Sequence, residues 1–185
     1  PPPPPPPPFF FHAYPAIRDF CLSRGLGDVY KRQVLASHDD TTLNDVLSSK
    51  KMGVKLAEFP TTLEAAKASN KNGLKVIMGA PNLLRGKSHS GNLSAIDLVE
   101  EKTLSILSSD YMPSSLLLGA IKLGIISEDM CYGIATVTSN PAKAMGLKDR
   151  GVLEIGKRAD LLRFCLYKNR PILKQSWLRG NKIIG

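Results

Sequence analysis

The chain has 185 residues, 43% of them hydrophobic and 22% charged, and carries a formal net charge of +9. That is a globular composition, sized for one domain or one domain with a small appendage. No run approaches the eighteen or so apolar residues of a membrane span. Cys21, Cys131 and Cys165 lack paired spacing, so neither a disulfide framework nor a zinc finger is expected, and a reducing cytoplasm fits. A basic surplus admits nucleic acid, an anionic membrane or a phosphorylated ligand. Because the Lys and Arg residues are scattered and only 6% of residues are aromatic, stacking on single-stranded nucleic acid is poorly supported. An anionic small substrate is the preferred partner, with no nucleic acid and no membrane.

Residues 1–33 stand apart. Eight prolines precede Phe9-Phe-Phe11 and a stretch without a consistent period, which could serve as a polyproline linker or a partner-binding tail. The segment Ser23-Arg-Gly-Leu-Gly-Asp-Val-Tyr-Lys-Arg-Gln33, however, resembles the in-frame translation of a sequencing-library adapter. Residues 1–33 are therefore set aside as a non-native or disordered segment. They hold a net +2, which leaves +7 on residues 34–185. The natural chain is expected to continue upstream of Val34.

From there the pattern is a short apolar run, a polar tip and a helix, repeated four times. Residues 34–37 lead to His38-Asp-Asp40, and Thr41 or Thr42 can cap a helix closed by Gly53. Residues 54–59 alternate and end at Pro60, followed by a Thr61-Thr-Leu-Glu64 capping box and a helix that stops near Asn72-Gly73. Residues 75–78 form a third strand, and residues 79–92 read as a long loop. Ser94 and Asp97 start another helix. Residues 104–108 then make the strand that ends near Asp110, where a parallel α/β architecture places its chemistry. Such units specify parallel strands with right-handed crossovers.

Beyond Asp110 the sequence predicts helices over 114–123, 127–137 (Ser127 as cap) and 141–145 (Asn140 as cap, Pro141 at the first position). Short strands follow over 152–155, 159–166, 172–177 and 182–184. Cys131, Cys165, Leu116-Leu-Leu118 and Trp177 read as core.

Several residues at the tips could carry chemistry. His38 with Asp39 and Asp40 could be a metal ligand backed by carboxylates that fix its tautomer, or a polar loop whose Asp caps the next helix. Asp110 could be a metal ligand and the general base for a bound water, or a cap or Asx-turn before Met112-Pro113. The 79–92 loop combines three glycines with Arg85, Lys87, Ser88, His89 and Asn92, which suits oligophosphate binding, or is an ordinary surface loop. It lacks the P-loop spacing. His89 could be a ligand, a proton donor or a phosphate contact. Glu58 could serve the site or be an exposed carboxylate.

With these residues placed, the chain resembles the amidohydrolase superfamily of metal-dependent hydrolases, and within it the phosphonate-metabolism diphosphatases. The resemblance rests on Ala36-Ser-His-Asp-Asp-Thr-Thr42, Ala57-Glu-Phe-Pro-Thr-Thr62, Met78-Gly-Ala-Pro-Asn82, Arg85-Gly-Lys-Ser-His-Ser-Gly-Asn92 and Ser109-Asp-Tyr-Met-Pro-Ser-Ser-Leu-Leu117. Three more general motifs complete it, Asn140-Pro-Ala142, Gly146-Leu-Lys-Asp-Arg-Gly151 and Gly156-Lys-Arg-Ala-Asp160.

The fold implied is α/β: the C-terminal half of a (β/α)8 barrel over residues 34–148, with a small β-sandwich portion over 149–185. Asp110 would follow strand eight and His38 strand five, with Glu58 where the superfamily usually has a histidine after strand six. The resemblance implies a divalent metal (zinc, manganese or iron) held by His38, Asp110 and His89, with Asp39, Asp40 and Glu58 behind them. Arg85, Lys87, Ser88 and Asn92 would bind substrate, and Asp110 would be catalytic.

The implied reaction converts alpha-D-ribose 1-methylphosphonate 5-triphosphate to the 5-phosphate and diphosphate. The competing readings are a dihydroorotase-like cyclic amidohydrolase and a non-catalytic polyanion binder. A second copy of the whole protein and other phosphonate-pathway enzymes are the candidate protein partners. The superfamily's upstream ligands, a His-x-His after strand one and a strand-four residue, have no counterpart here. Residues 34–185 alone are accordingly expected to be inactive.

Overall fold

The computed structural model describes residues 34–86 and 92–185. The expectations for residues 1–33 and for Lys87, Ser88 and His89 lie outside the described residues. β1 (Ala36–His38), β2 (Leu56–Glu58), β3 (Lys75–Gly79) and β4 (Leu104–Ser108) form one sheet in the order β1-β2-β3-β4. β1 and β2 run parallel, with Ala36 opposite Leu56 and His38 opposite Glu58. All three residues of β2 are buried, as in a parallel sheet covered on both faces; the predicted alternation over 54–59 does not persist. The described residues divide into two compact units, split between Val76 and Ile77 inside β3.

In the first unit, α1 (Leu43–Lys51) starts at Thr42, whose Oγ1 accepts from the Asp45 N–H while the Asp45 carboxylate accepts from the Thr42 N–H. α2 (Leu63–Lys71) is capped by Thr62 accepting from the Ala65 N–H. The cap therefore lies one residue beyond the predicted Thr61, whose hydroxyl instead meets that of Thr41 at 2.8 Å and ties the two strand-to-helix loops together. Val46 packs on Ala65 and Ala68 between the helices. Val54, Ala57 and Leu74 pack with Leu35.

In the second unit, α3 (Ala80–Arg85) follows β3 without a loop. Gly79 and Pro81 read as loop residues in the sequence, yet Pro belongs in a first helical turn, where its missing N–H has no intrahelical partner. α4 (Ala95–Glu100) has Ser94 and Asp97 as its capping box, as expected. α5 (Ser115–Ile126), α6 (Met130–Ala135) and α7 (Ser139–Ala144) follow β4. Asp129, not Ser127, caps α6 by accepting from the Tyr132 N–H, because the Ser127 hydroxyl donates back to Leu123.

Asn140 lies within α7 and caps nothing. Its Nδ2 donates to the Ser105 carbonyl of β4 at 2.9 Å, and the Leu107 N–H donates to the Thr136 carbonyl at 3.1 Å. Ser105 and Leu107 are two residues apart and so face the same edge of the strand. That edge of β4 is thus occupied by the α6–α7 segment. Tyr132 adds a bond from its hydroxyl to Leu104 O, and burial pushes its pKa up to about 12. Asn140→Ala should cost about 1–2 kcal/mol by stranding a half-buried carbonyl, a fall of roughly 2–8 °C in a thermal melt for a chain of this size. An unchanged melting temperature would show that the edge is not sealed by this residue.

β5 (Leu161–Tyr167), β6 (Arg170–Leu178) and β7 (Asn181–Ile184) form a separate antiparallel sheet in that order. The predicted strand over 152–155 is absent. Gly151 and Gly156, both at positive φ, turn the chain on either side of it, and Leu153 and Ile155 are exposed. Leu162, Leu166, Tyr167, Leu178, Ile183 and Ile184 on the sheet are exposed too. Cys165, expected in the core, is exposed with them. Cys131 is exposed as well; it lies two residues, about 200°, around α6 from the buried Gly133. Leu116-Leu-Leu118 and Trp177 are half-buried, and α5 buries Gly119, Ala120, Ile121, Leu123 and Gly124 instead. Among the described residues no helix is long and apolar enough to cross a membrane.

Candidate active site

His38 and Glu58 end β1 and β2, and Asp110 follows the end of β4; at these tips three backbones are held in an unfavourable conformation. Asp39 after β1, Phe59 after β2 and Asp110 after β4 have φ of 60°, 51° and 50°. Left-handed backbone is uncommon outside glycine, and for a bulky residue such as phenylalanine it is an outlier. Such strain persists only where the surroundings enforce it, and it clusters at functional positions.

In the first unit the β1 tip is fixed from both sides. The Asp39 N–H donates to Glu58 O, and the Thr61 N–H donates to Asp40 O. His38 Nδ1 lies 2.9 Å from the Asp39 carboxylate, and the Phe59 ring meets the imidazole edge-on at a centroid distance of 5.3 Å. A carboxylate on the Nδ1 side leaves Nε2 as the ligating nitrogen, as where carboxylates orient metal-binding histidines. Glu58 is buried beside it in register with His38.

Asp40 has a different setting. It is buried and accepts from the Ser37 hydroxyl at 2.6 Å and the Ser49 hydroxyl at 3.3 Å, so it joins the β1 tip to α1. Thr42, not an aspartate of the loop, caps that helix. Burial raises the Asp40 pKa, opposed by the two hydroxyl donors. The native chain therefore takes up this proton before the unfolded chain as the pH falls. The ionised form costs stability above the raised pKa, and that cost is gone below the unfolded value of about 3.9. Asp40→Asn removes the titration. Its stability relative to the native chain should be highest near pH 7 and should decline as the pH drops toward about 4. Denaturant melts across that range check this; a difference independent of pH would contradict it.

In the second unit Asp110 is exposed, two residues past the end of β4. Its loop is closed by bonds from the Met112 N–H to Ser109 O and from the Ser115 N–H to Met112 O. Ser114 occupies the cap position of α5 without a side-chain cap bond, so Asp110 is not the helix cap. The Asp110 carboxylate lies over Gly79 at the end of β3. Arg85, at the last turn of α3, donates from its guanidinium to the Tyr111 hydroxyl at 2.5 Å and stands 5.8 Å from the Tyr111 ring centre. Asn82 accepts from the Ala95 N–H and donates to Leu93 O, which anchors the start of α4 to α3. Asn92 is exposed.

Each unit offers one candidate cation donor, the His38 imidazole in the first and the exposed Asp110 carboxylate in the second. Among the described residues, however, no group of three or more His, Cys, Asp or Glu side chains could hold one. Phe59 and Tyr111 were given no role in the sequence, and Gly79 was read only as a loop glycine. Their signal was position alone: Phe59 and Tyr111 follow Glu58 and Asp110, and Gly79 ends β3.

The diphosphatase of Escherichia coli (strain K12) named for alpha-D-ribose 1-methylphosphonate 5-triphosphate is 45% identical over 156 residues, 83% of this chain and 41% of that protein. An amidohydrolase from Thermotoga maritima MSB8 superposes with a TM-score of 0.64 at 19% identity, covering 85% of this chain and 46% of that one. The chain has the amidohydrolase-superfamily fold. L-hydantoinase from Arthrobacter aurescens shares it with a TM-score of 0.57 at 12% identity, over 86% of this chain and 58% of that one. The four strand-helix units are thus part of a (β/α)8 barrel, and β5–β7 are an added antiparallel sheet. No family model matches the chain. The chain spans about two fifths of the length of the curated relative it matches.

Proposed function

We propose that this chain is the C-terminal part of a metal-dependent hydrolase that cleaves a phosphorus anhydride of a phosphorylated sugar and releases diphosphate. The observation that carries this is the 45% identity to the Escherichia coli diphosphatase across 156 residues, which span the strand-tip segments. In this reading residues 34–148 supply barrel and residues 149–185 supply part of a β-sandwich, while residues 1–33 belong to neither. The exposed apolar side chains of β5–β7 support the second assignment.

His38, Asp110 and His89 are the candidate cation ligands. A zinc, manganese or iron ion there would supply a water acidic enough to ionise near neutral pH. Arg85 binds phosphate oxygens through its planar guanidinium, which Tyr111 holds in place. Lys87, Ser88 and Asn92 add contacts to the same phosphates. Asp110 accepts the proton of the attacking water. One O–P bond forms at the phosphorus nearest the sugar, the bridging anhydride bond breaks, and the terminal two phosphates leave as diphosphate.

The test is a substrate panel on the intact protein that carries this chain, with added divalent metal. The ribosyl triphosphate should release diphosphate faster than nucleoside triphosphates, and cyclic amides should stay intact. Ring opening of a cyclic amide without diphosphate release would replace this reading with a cyclic amidohydrolase. Triphosphate binding without turnover would replace it with a non-catalytic binder.

A further inference from the structure

We infer that Gly79 is a positioning residue for the Asp110 carboxylate, an inference that rests on the proposed role of Asp110. Gly79 has φ −69° and ψ 130°, ordinary extended backbone open to any residue. No turn or left-handed conformation calls for glycine here; space does. A Cβ at position 79 would stand 3.1 Å from Asp110 Oδ2, 3.3 Å from its Cβ and 3.6 Å from its Cγ. These three nearest atoms all belong to Asp110, so the volume a side chain would take is the volume the carboxylate uses.

Asp110 has little freedom to yield. Its backbone is already at φ 50°, and the loop around it is closed by the Ser109–Met112 and Met112–Ser115 bonds. Ser115 fixes the same turn through its hydroxyl, which donates to Met112 O at 2.6 Å. The other side of the contact is equally confined. Gly79 ends β3 and is the cap residue just before α3, and the next residue, Ala80, is buried against Gly119 of α5. A methyl group at 79 therefore shifts the carboxylate by a few tenths of an ångström rather than moving either backbone. The bare backbone of Gly79 is a shelf that sets where the carboxylate lies.

The experiment is a cycle of Gly79→Ala, Asp110→Gly and the double variant in the intact protein. Thermal melting, kcat, KM and the affinity for added Mn2+ alone are measured for each. A misplacement of 1 Å at a reacting group costs on the order of 100-fold. Gly79→Ala should therefore lower kcat by about tenfold, leave KM within about twofold and weaken Mn2+ binding to a similar degree. In the Asp110→Gly background the same change should have no further effect on Mn2+ affinity, since residues that act through one contact are not additive.

If Asp110→Gly turns over normally, the role of Asp110 is wrong and the inference falls with it. If Asp110→Gly is inactive but Gly79→Ala has native kcat and Mn2+ affinity, the positioning inference alone is overturned. Should Gly79→Ala fail to fold, the double variant must fold again, because the crowding atoms are gone. A double variant that also fails would show that something other than Asp110 fills the space and would overturn the inference.

Discussion

Asp110→Asn should lower diphosphate release by the intact protein about 10²- to 10⁴-fold, the range assigned to a positioned general base. The substitution isolates the chemistry from the fold. Asparagine tolerates the left-handed backbone at φ 50° about as readily as aspartate. The side chain is exposed and caps no helix, so the melting temperature should stay within about 2 °C. Asp149→Asn is the matched control. Asp149 is also exposed, but its carboxylate accepts from its neighbour Arg150, away from any strand tip, and the same loss of charge there should leave turnover unchanged. Native activity in Asp110→Asn would overturn the catalytic assignment. Equal losses in both variants would show an effect of net charge rather than of a base.

The strand tips could be read from the sequence because parallel α/β units announce themselves locally. Each tip couples a short apolar run to polar residues and a cap, and those patterns survive without tertiary information. His38, Glu58 and Asp110 were located that way, as was the capping of α4 by Ser94. The contacts between tips were not legible. Nothing in the spacing of Gly79 and Asp110, or of Arg85 and Tyr111, says that residues 31 and 26 positions apart in the sequence will touch.

Local signals also misled where tertiary structure overrode them. Gly79 and Pro81 read as loop residues but open a helix. The apolar residues 152–155 read as a strand, yet the left-handed glycines on either side turn the chain away from any sheet. Asn140 has the sequence of a helix cap but spends its amide on the edge of β4. Such side-chain donations across elements have no one-dimensional signature.

The largest stability effect should come from Gly133→Ala. α5 and α6 approach so closely that a Cβ on Gly133 would stand 2.4 Å from the Ala120 carbonyl oxygen, 2.6 Å from the Gly124 nitrogen and 2.8 Å from its Cα. All three are backbone atoms of α5, so no side-chain rotation can relieve the overlap. The reverse contact is equally tight, since a Cβ on Gly124 would meet Met130 Cα at 2.9 Å. Two effects compete in this variant. Alanine gains up to about 1 kcal/mol in helix propensity over glycine. Overpacking costs roughly 1–3 kcal/mol where side chains can adjust and more where they cannot. With backbone on the far side the clash wins, for a net loss of about 3 kcal/mol. The melting temperature should then fall by roughly 6–12 °C. Cys131→Ala in the same helix, on an exposed position, should move it by no more than about 2 °C. A Gly133→Ala chain that melts at or above the native temperature would show slack between α5 and α6. In that case the support they give β4, through Thr136 and Tyr132, would not depend on their close approach.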